Sequence, residues 1–172
     1  MAPTDTIHKS TTEHDHAACI HKAIQQAEEL CHKKQIRLTE LRKQVLSLVW
    51  QTHKPIGAYA IMELLQAASS RRQVAPPTVY RTLDFLVEHG FVHKVHTLNA
   101  FIGCSNPQRR QCDALLICTE CGYTEEVPNN TIQHAIHLSA NKQKFSVEEQ
   151  ILEIAGCCAD CKPNKSTDEI TL

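Results

Sequence analysis

Apolar positions in the first ninety residues recur at intervals of three and four, the spacing that puts them on one face of a helix. Ile20, Ile24, Ala27, Leu30 and Cys31 predict a helix over 18–34. Thr39, a good N-cap, opens a second helix whose inward stripe is Leu41, Val45, Leu48 and Val49. Pro55 and Gly57 break it, and residues 58–68 form a third helix with Ile61, Leu64 and Leu65 turned inward. Pro76 and Pro77 suit the first turn of a fourth helix, which runs to Gly90, a left-handed cap. The period then changes to two. FVHKVH and AFIGC, separated by Thr97-Leu98-Asn99, predict a hairpin. LLIC and YTEEV are expected strands on either side of a CxxC turn. A helix is expected from Thr131 to about Asn141, and 144–156 is expected to be mostly strand.

The 172 residues, 42% hydrophobic, suffice for one domain or two small ones. No stretch approaches the apolar length of a membrane span. The first residues lack a basic start and an apolar h-region, so a cytoplasmic chain is expected. In that reducing setting, nine cysteines and eleven histidines point to metal ligands or redox thiols rather than disulfides. The charge is asymmetric. Residues 20–96 hold 11 Lys and Arg against six acids, or +5, whereas 97–172 hold six against ten, or −4. A basic, anion-binding half joined to an acidic, cysteine-rich half is the implied organisation.

Three helices, a proline-started helix and a hairpin follow the order of a winged helix-turn-helix. On the fourth helix Val79, Leu83, Leu86 and Val87 share one face, and Tyr80, Arg81, Asp84 and Glu88 the other. Tyr80 and Arg81 occupy the N-terminal half, the part of a recognition helix that reaches base edges. Arginine offers a fork of donors to guanine, and a tyrosine ring packs on a thymine methyl. An ordinary amphipathic surface helix would show the same two faces. The connector SSRRQVA, with Arg71 and Arg72, and the hairpin beyond favour double-stranded DNA.

Cys118-Thr-Glu-Cys121 and Cys158-Ala-Asp-Cys161 are two CxxC turns. Each turn offers two thiolates to one metal, and the pair completes a closed tetrahedral four-sulfur site of the structural kind. A CxxC redox dithiol is the alternative, but such a motif is expected to open a helix, whereas Gly122 and strand-like YTEEV come next here. Cys157 fits no CxxC register and reads as a bystander. Further potential ligands gather around the hairpin and the segments after it: His93, His96, Cys104, Cys112 and Glu126. They read either as a mixed N/S/O site joining two domains, suited to sensing, or as ordinary polar residues.

The run PPTVYRTLDFLVEHGFVHKV, with IRLTELR before it, ICTECG after it and a closing GCCADC, resembles the ferric uptake regulator family, most nearly its zinc-sensing branch, the zinc uptake regulators. The resemblance covers roughly residues 20–162. It implies an α+β chain: an N-terminal winged helix-turn-helix, then a small α/β dimerisation domain with a four-cysteine zinc site. The expected divisions are an arm over 1–17, a DNA-binding domain over 18–104, a hinge over 105–112, a dimerisation and metal-binding domain over 113–162, and a tail over 163–172. It implies a homodimeric, zinc-activated repressor of zinc-uptake genes on palindromic operators, with two Zn2+ per subunit, no enzymatic activity and no small-molecule substrate.

Carried over by residue, Cys118, Cys121, Cys158 and Cys161 match the structural zinc site. His93, Cys104 and Glu126 match the regulatory site, and Tyr80 and Arg81 the recognition-helix pair. The branch has a further ligand histidine about seven residues before the CxxC. Here that position is Gln111, and the role goes to the neighbouring Cys112, since a thiolate binds zinc far better than an amide. The alternatives are an iron or peroxide sensor of the same family, or a zinc-buffering protein using His8, His14, His16 and the extra cysteines. Thiolate ligands favour zinc over Fe2+. His134 and His137 read as surface histidines, with an additional metal site as the alternative.

Overall fold

The computed structural model describes residues 16–52, 54–68, 74–108, 114–128, 130–148 and 150–162. The expected arm up to residue 15, Arg71 and Arg72 of the connector, Gln111 and Cys112, and the tail lie outside the described residues.

Helix α1 spans His16–Lys33 and takes in the last two residues of the expected arm. Ala23, Ala27 and Cys31 are its buried stripe, and these small side chains let it lie close on the bundle. Helix α2 spans Glu40–Val49, and the Thr39 hydroxyl accepts the Arg42 N–H at its start. Helix α3 spans Ala58–Ala68 and α4 spans Pro76–Glu88. Proline at the first turn of α4 gives up an N–H that would have had no helical partner. The helix ends at Gly90, whose φ of +75° turns the chain so that Phe91 N–H reaches the Leu86 carbonyl at 2.8 Å. The inward faces differ slightly from expectation. Leu46, Met62 and Thr82 are buried, while Leu64 is exposed and Leu41, Leu48 and Val87 are only half-buried.

Strands β1 (Ile56–Gly57), β2 (Val92–Val95) and β3 (Ala100–Gly103) form an antiparallel sheet in the order β1-β3-β2. Ile56 and Gly57, expected as a break, instead pair with Phe101 and Ala100. Strands β4 (Ala114–Cys118), β5 (Thr124–Val127) and β6 (Glu153–Gly156) form a second sheet in the order β5-β4-β6. Strand β4 runs antiparallel to β5 and parallel to β6. Helix α5, Asn130–Lys142, connects β5 towards β6. The expected long strand over 144–156 shrinks to its last four residues. Lys144 adopts φ +55°, closing α5, and the apolar Phe145 and Ile151 are exposed rather than seated in a ladder.

The β2–β3 hairpin has two apolar faces. Val92 and Phe101 join the helical core with Leu46, Ile61, Leu65, Val79, Leu83 and Leu86. Val95 and Ile102 point the other way and form a second cluster with Leu115 and Ile117 of β4. Strand alternation therefore makes the hairpin a wall shared by both halves of the molecule. His93 lies across from Ile102 in the ladder and is two residues from Val95, so it too faces the second sheet. No described helix is long and apolar enough to cross a membrane.

Candidate metal centres and nucleic-acid interface

Strands β4 and β6 run side by side and bring the two CxxC turns to the same end of the sheet. Gly156 lies across from Cys118, and Thr119 N–H donates to the Gly156 carbonyl at 2.8 Å. Both turns close alike: Gly122 N–H donates to the Cys118 carbonyl, and Lys162 N–H to the Cys158 carbonyl, each at 3.0 Å. Gly122 has φ +74°, which a side chain would resist. The ligand atoms of Cys118, Cys121, Cys158 and Cys161 all lie within 4.8 Å of one another.

The sulfurs of Cys121 and Cys158 are 3.7 Å apart. A disulfide needs about 2.05 Å. A tetrahedron with metal–sulfur bonds of about 2.3 Å has edges of about 3.8 Å, so the spacing fits a shared zinc. Backbone N–H groups, foremost that of Cys158 at 3.3 Å, hold the Cys118 thiol down to about 6. Cys161 is pushed strongly up, because the neighbouring sulfurs of Cys158 and Cys121 draw on its proton. The first thiolate forms easily and the last at great cost, a conflict that a divalent cation relieves. Cys157 is exposed, with its thiol turned to the Cys158 carbonyl at 3.7 Å, outside the group of four.

The second group is His93 on β2, Cys104 just past β3 and Glu126 on β5, again within 4.8 Å of one another. His93 Nε2 contacts Glu126 Oε1. The other Glu126 oxygen accepts the Ser105 N–H at 2.8 Å and the Ser105 hydroxyl. Burial pushes the Glu126 carboxyl up, but the hydrogen bonds from His93 and Ser105 outweigh it and hold the group at about 2. Cys104 is buried, and burial pushes its thiol up against the opposing influence of His93. One nitrogen, one sulfur and one carboxylate oxygen, drawn from both halves of the chain, form a donor set that fits zinc with a fourth position left over. Cys112, expected to fill it, lies outside the described residues. His96 is exposed and not part of the group. His134 and His137 are exposed on α5 and belong to neither cluster.

Two neighbours of this group were not singled out in the sequence. Ser105 holds Glu126 with both its N–H and its hydroxyl. Trp50 lies against Gly103, so that a side chain at 103 would fall 2.2 Å from the indole. A glycine directly before Cys104 was the available signal.

On α4, Tyr80 is 41% exposed and Arg81 is exposed, while Val79 and Leu83 anchor the opposite face with no exposure. The expected two-faced helix is therefore present, with both residues on its open side and in its N-terminal half.

Residues 33–155 match the profile of the ferric uptake regulator family. The zinc uptake regulation protein of Escherichia coli (strain K12) is 38% identical over 139 residues, 80% of each chain. A zinc uptake regulator complexed with zinc and DNA superposes with a TM-score of 0.77 at 35% identity, covering 87% of this chain and 96% of that one. The holo form of XcZur superposes at 0.74, with 35% identity over 81% of this chain and 96% of that one. Its apo form reaches only 0.50, at 34% identity over 83% and 97%. The chain belongs to the ferric uptake regulator family. The Escherichia coli relative and the zinc- and DNA-bound structure are named as regulators of zinc uptake, and the winged helix and two donor clusters of this chain suit a metal-responsive DNA-binding regulator.

Proposed function

We propose that the chain is a zinc-responsive transcriptional repressor that binds palindromic operators of zinc-uptake genes as a homodimer. The observation that carries this reading is the meeting of His93 and Cys104, from the winged-helix hairpin, with Glu126 of the second sheet. These donors belong to opposite halves, so ligating them together restricts how the halves are oriented. The likeness to a zinc- and DNA-bound regulator supports it, as does the better superposition on the holo than on the apo form of one relative.

In this reading the chain binds two zinc ions. Cys118, Cys121, Cys158 and Cys161 hold the structural one; His93, Cys104, Glu126 and Cys112 hold the regulatory one. Bound there, zinc would supply a dication that offsets the negative charge of the Glu126 carboxylate and the cysteine thiolates. Ser105 keeps Glu126 aimed at His93, and the packing of Val95 and Ile102 on Leu115 and Ile117 guides the two halves together. Tyr80 and Arg81 read base edges. The DNA-binding domain covers 18–104, the hinge 105–112 and the dimerisation domain 113–162, with the arm and tail outside them, and the protein works in the cytoplasm. Helix α5 has no buried residue, and Ile132, Leu138 and Phe145 are exposed, which suits the surface to a second copy of the chain.

The test is a mobility shift on a duplex selected from a random pool by the zinc-loaded protein, with zinc varied. Wild type should bind with rising zinc. Cys104→Ser should remain a folded dimer with one zinc per chain and lose that dependence. An unchanged zinc dependence in Cys104→Ser would remove the His93–Cys104–Glu126 group as the sensor.

A further inference from the structure

The hairpin meets the second sheet at a second point that involves none of the metal donors. The Glu153 carboxylate on β6 accepts the backbone N–H of His96 at 2.6 Å with one oxygen and that of Thr97 at 2.9 Å with the other. These are the first residues of the turn joining β2 to β3. The turn is tight: Asn99 N–H donates back to the His96 carbonyl at 3.2 Å, and Asn99 sits at φ +46°. Partial burial pushes the Glu153 carboxyl up, but the contacts from Thr97 and His96 outweigh it and lower the group.

The placement follows from register. Glu126, Leu115 and Glu153 are mutual partners across β5, β4 and β6, so they form one row on the same face of the sheet. Two strand spacings make that row about 10 Å wide. His93 on β2 and His96, the first residue beyond that strand, are three residues apart, also about 10 Å at strand rise. Strand β2 and the start of its turn thus lie across the sheet, with His93 at Glu126 on one side and the His96 N–H at Glu153 on the other. The apolar packing of Val95 and Ile102 on Leu115 and Ile117 lies between these two polar attachments and has no directional bond of its own; the two polar contacts together fix a direction.

We propose that Glu153 is a positioning residue for operator binding: a metal-free anchor that pins the hairpin tip to the second sheet, so that closing the His93–Cys104–Glu126 group sets the direction of the DNA-binding half. This rests on the proposed function for its DNA readout. Helix α4 packs on β2, so a hairpin free to swing about His93 would carry Tyr80 and Arg81 with it. Strand β6 also leads into Cys158, and its pairing with β4 is what brings Glu153 level with the hairpin tip.

The experiment compares wild type, Glu153→Gln and Glu153→Ala as full-length protein with saturating zinc, on a duplex selected from a random pool by zinc-loaded wild type. Zinc content and dimer mass should match wild type in both variants. Affinity for the duplex should fall roughly tenfold in Glu153→Ala, the scale of one to two charge-assisted hydrogen bonds, and less in Glu153→Gln, which keeps one acceptor oxygen. Amide exchange should quicken at His96 and Thr97 in Glu153→Ala and stay unchanged along β4. Wild-type DNA affinity in Glu153→Ala, or unchanged exchange at His96 and Thr97, overturns the anchor. So does a loss of affinity that comes with loss of zinc or of the dimer. If wild type itself shows no zinc-dependent DNA binding, the proposed function fails instead, and exchange at the two amides still decides the anchor.

Discussion

Replacing Gly103 by alanine tests whether the helical core and the His93–Cys104–Glu126 group are mechanically joined. The added methyl would fall 2.2, 2.4 and 2.7 Å from three atoms of the Trp50 indole, where ordinary contact begins at 3.4 Å. An overlap of this size forces either the ring or the end of β3 to move. The indole N–H is buried without a hydrogen-bond partner, so packing alone holds the ring in place. Overpacking of this kind costs about 1–3 kcal/mol. For a domain of this size each kcal/mol lowers the melting temperature by roughly 4–8 °C. Whatever part of the strain moves β3 also moves Cys104, the next residue. Zinc affinity at the regulatory group should therefore fall, while the four-cysteine site keeps its metal. Circular dichroism follows the melt, and competition with a zinc chelator follows the affinity, in every variant, including those that lack Trp50, the single tryptophan. Trp50→Phe removes the clashing atoms and should recover most of the loss in the double variant, a coupling visible in a mutant cycle. Unchanged melting and unchanged zinc affinity in Gly103→Ala would refute the coupling. So would a double variant no better than the sum of its parts.

Cys118→Ser or Cys161→Ser should cost folding or dimerisation, not merely zinc response, since the remaining thiolates lose their cation; elemental analysis with size-exclusion mass measurement checks this, and a well-folded dimer with undiminished zinc would contradict it. Arg81→Ala should weaken operator binding by about 1–3 kcal/mol and relax base preference at one position per half-site, read by binding to a panel of substituted duplexes. His89 packs edge-on to Phe85 at 4.3 Å, and burial holds its imidazole below the ordinary value, against the pull of Glu88. Its unfolded form binds protons more readily, so the helical half should be fully stable above about pH 6.5 and weaken as pH falls through that range. Urea midpoints at about pH 7.5 and about pH 5.5 should draw closer in His89→Gln, the two pH values lying either side of that imidazole range.

Local chemistry was legible in the chain wherever a residue acts on its own neighbours. Pro76 and Gly90 bracket α4, Thr39 starts α2, and each CxxC announces its own turn. His93 and Cys104 were readable through the family resemblance, which carries them over one by one, whereas spacing alone left His96 beside them. Contacts made across the fold were not. The alternation of Phe145, Val147 and Ile151 reads as a strand, yet those residues have no ladder to join, and Phe145 and Ile151 remain on the surface. Pro55 and Gly57 signal a break, and Ile56–Gly57 becomes a strand only because β3 offers it an edge. Ser105 and Glu153 are ordinary polar residues until a second sheet arrives beside them.

The parallel pairing of β4 with β6 has a consequence for how the molecule is made. Strand β6 is the last described strand in chain order, yet it supplies one flank of β4, the central strand of the second sheet. During synthesis β4 and β5 emerge as a bare two-stranded ribbon, which is marginal in water and open to pairing with other chains along its free edge. The edge is closed only when the final cysteine pair has been translated and has met the first, across a span of 37 residues between Cys121 and Cys158. Clipping a loop of that length removes about 4 kcal/mol of chain entropy from the open state. Zinc supply during translation should therefore govern the yield of soluble protein, and a ribosome stalled before Glu153 would release a chain prone to aggregate.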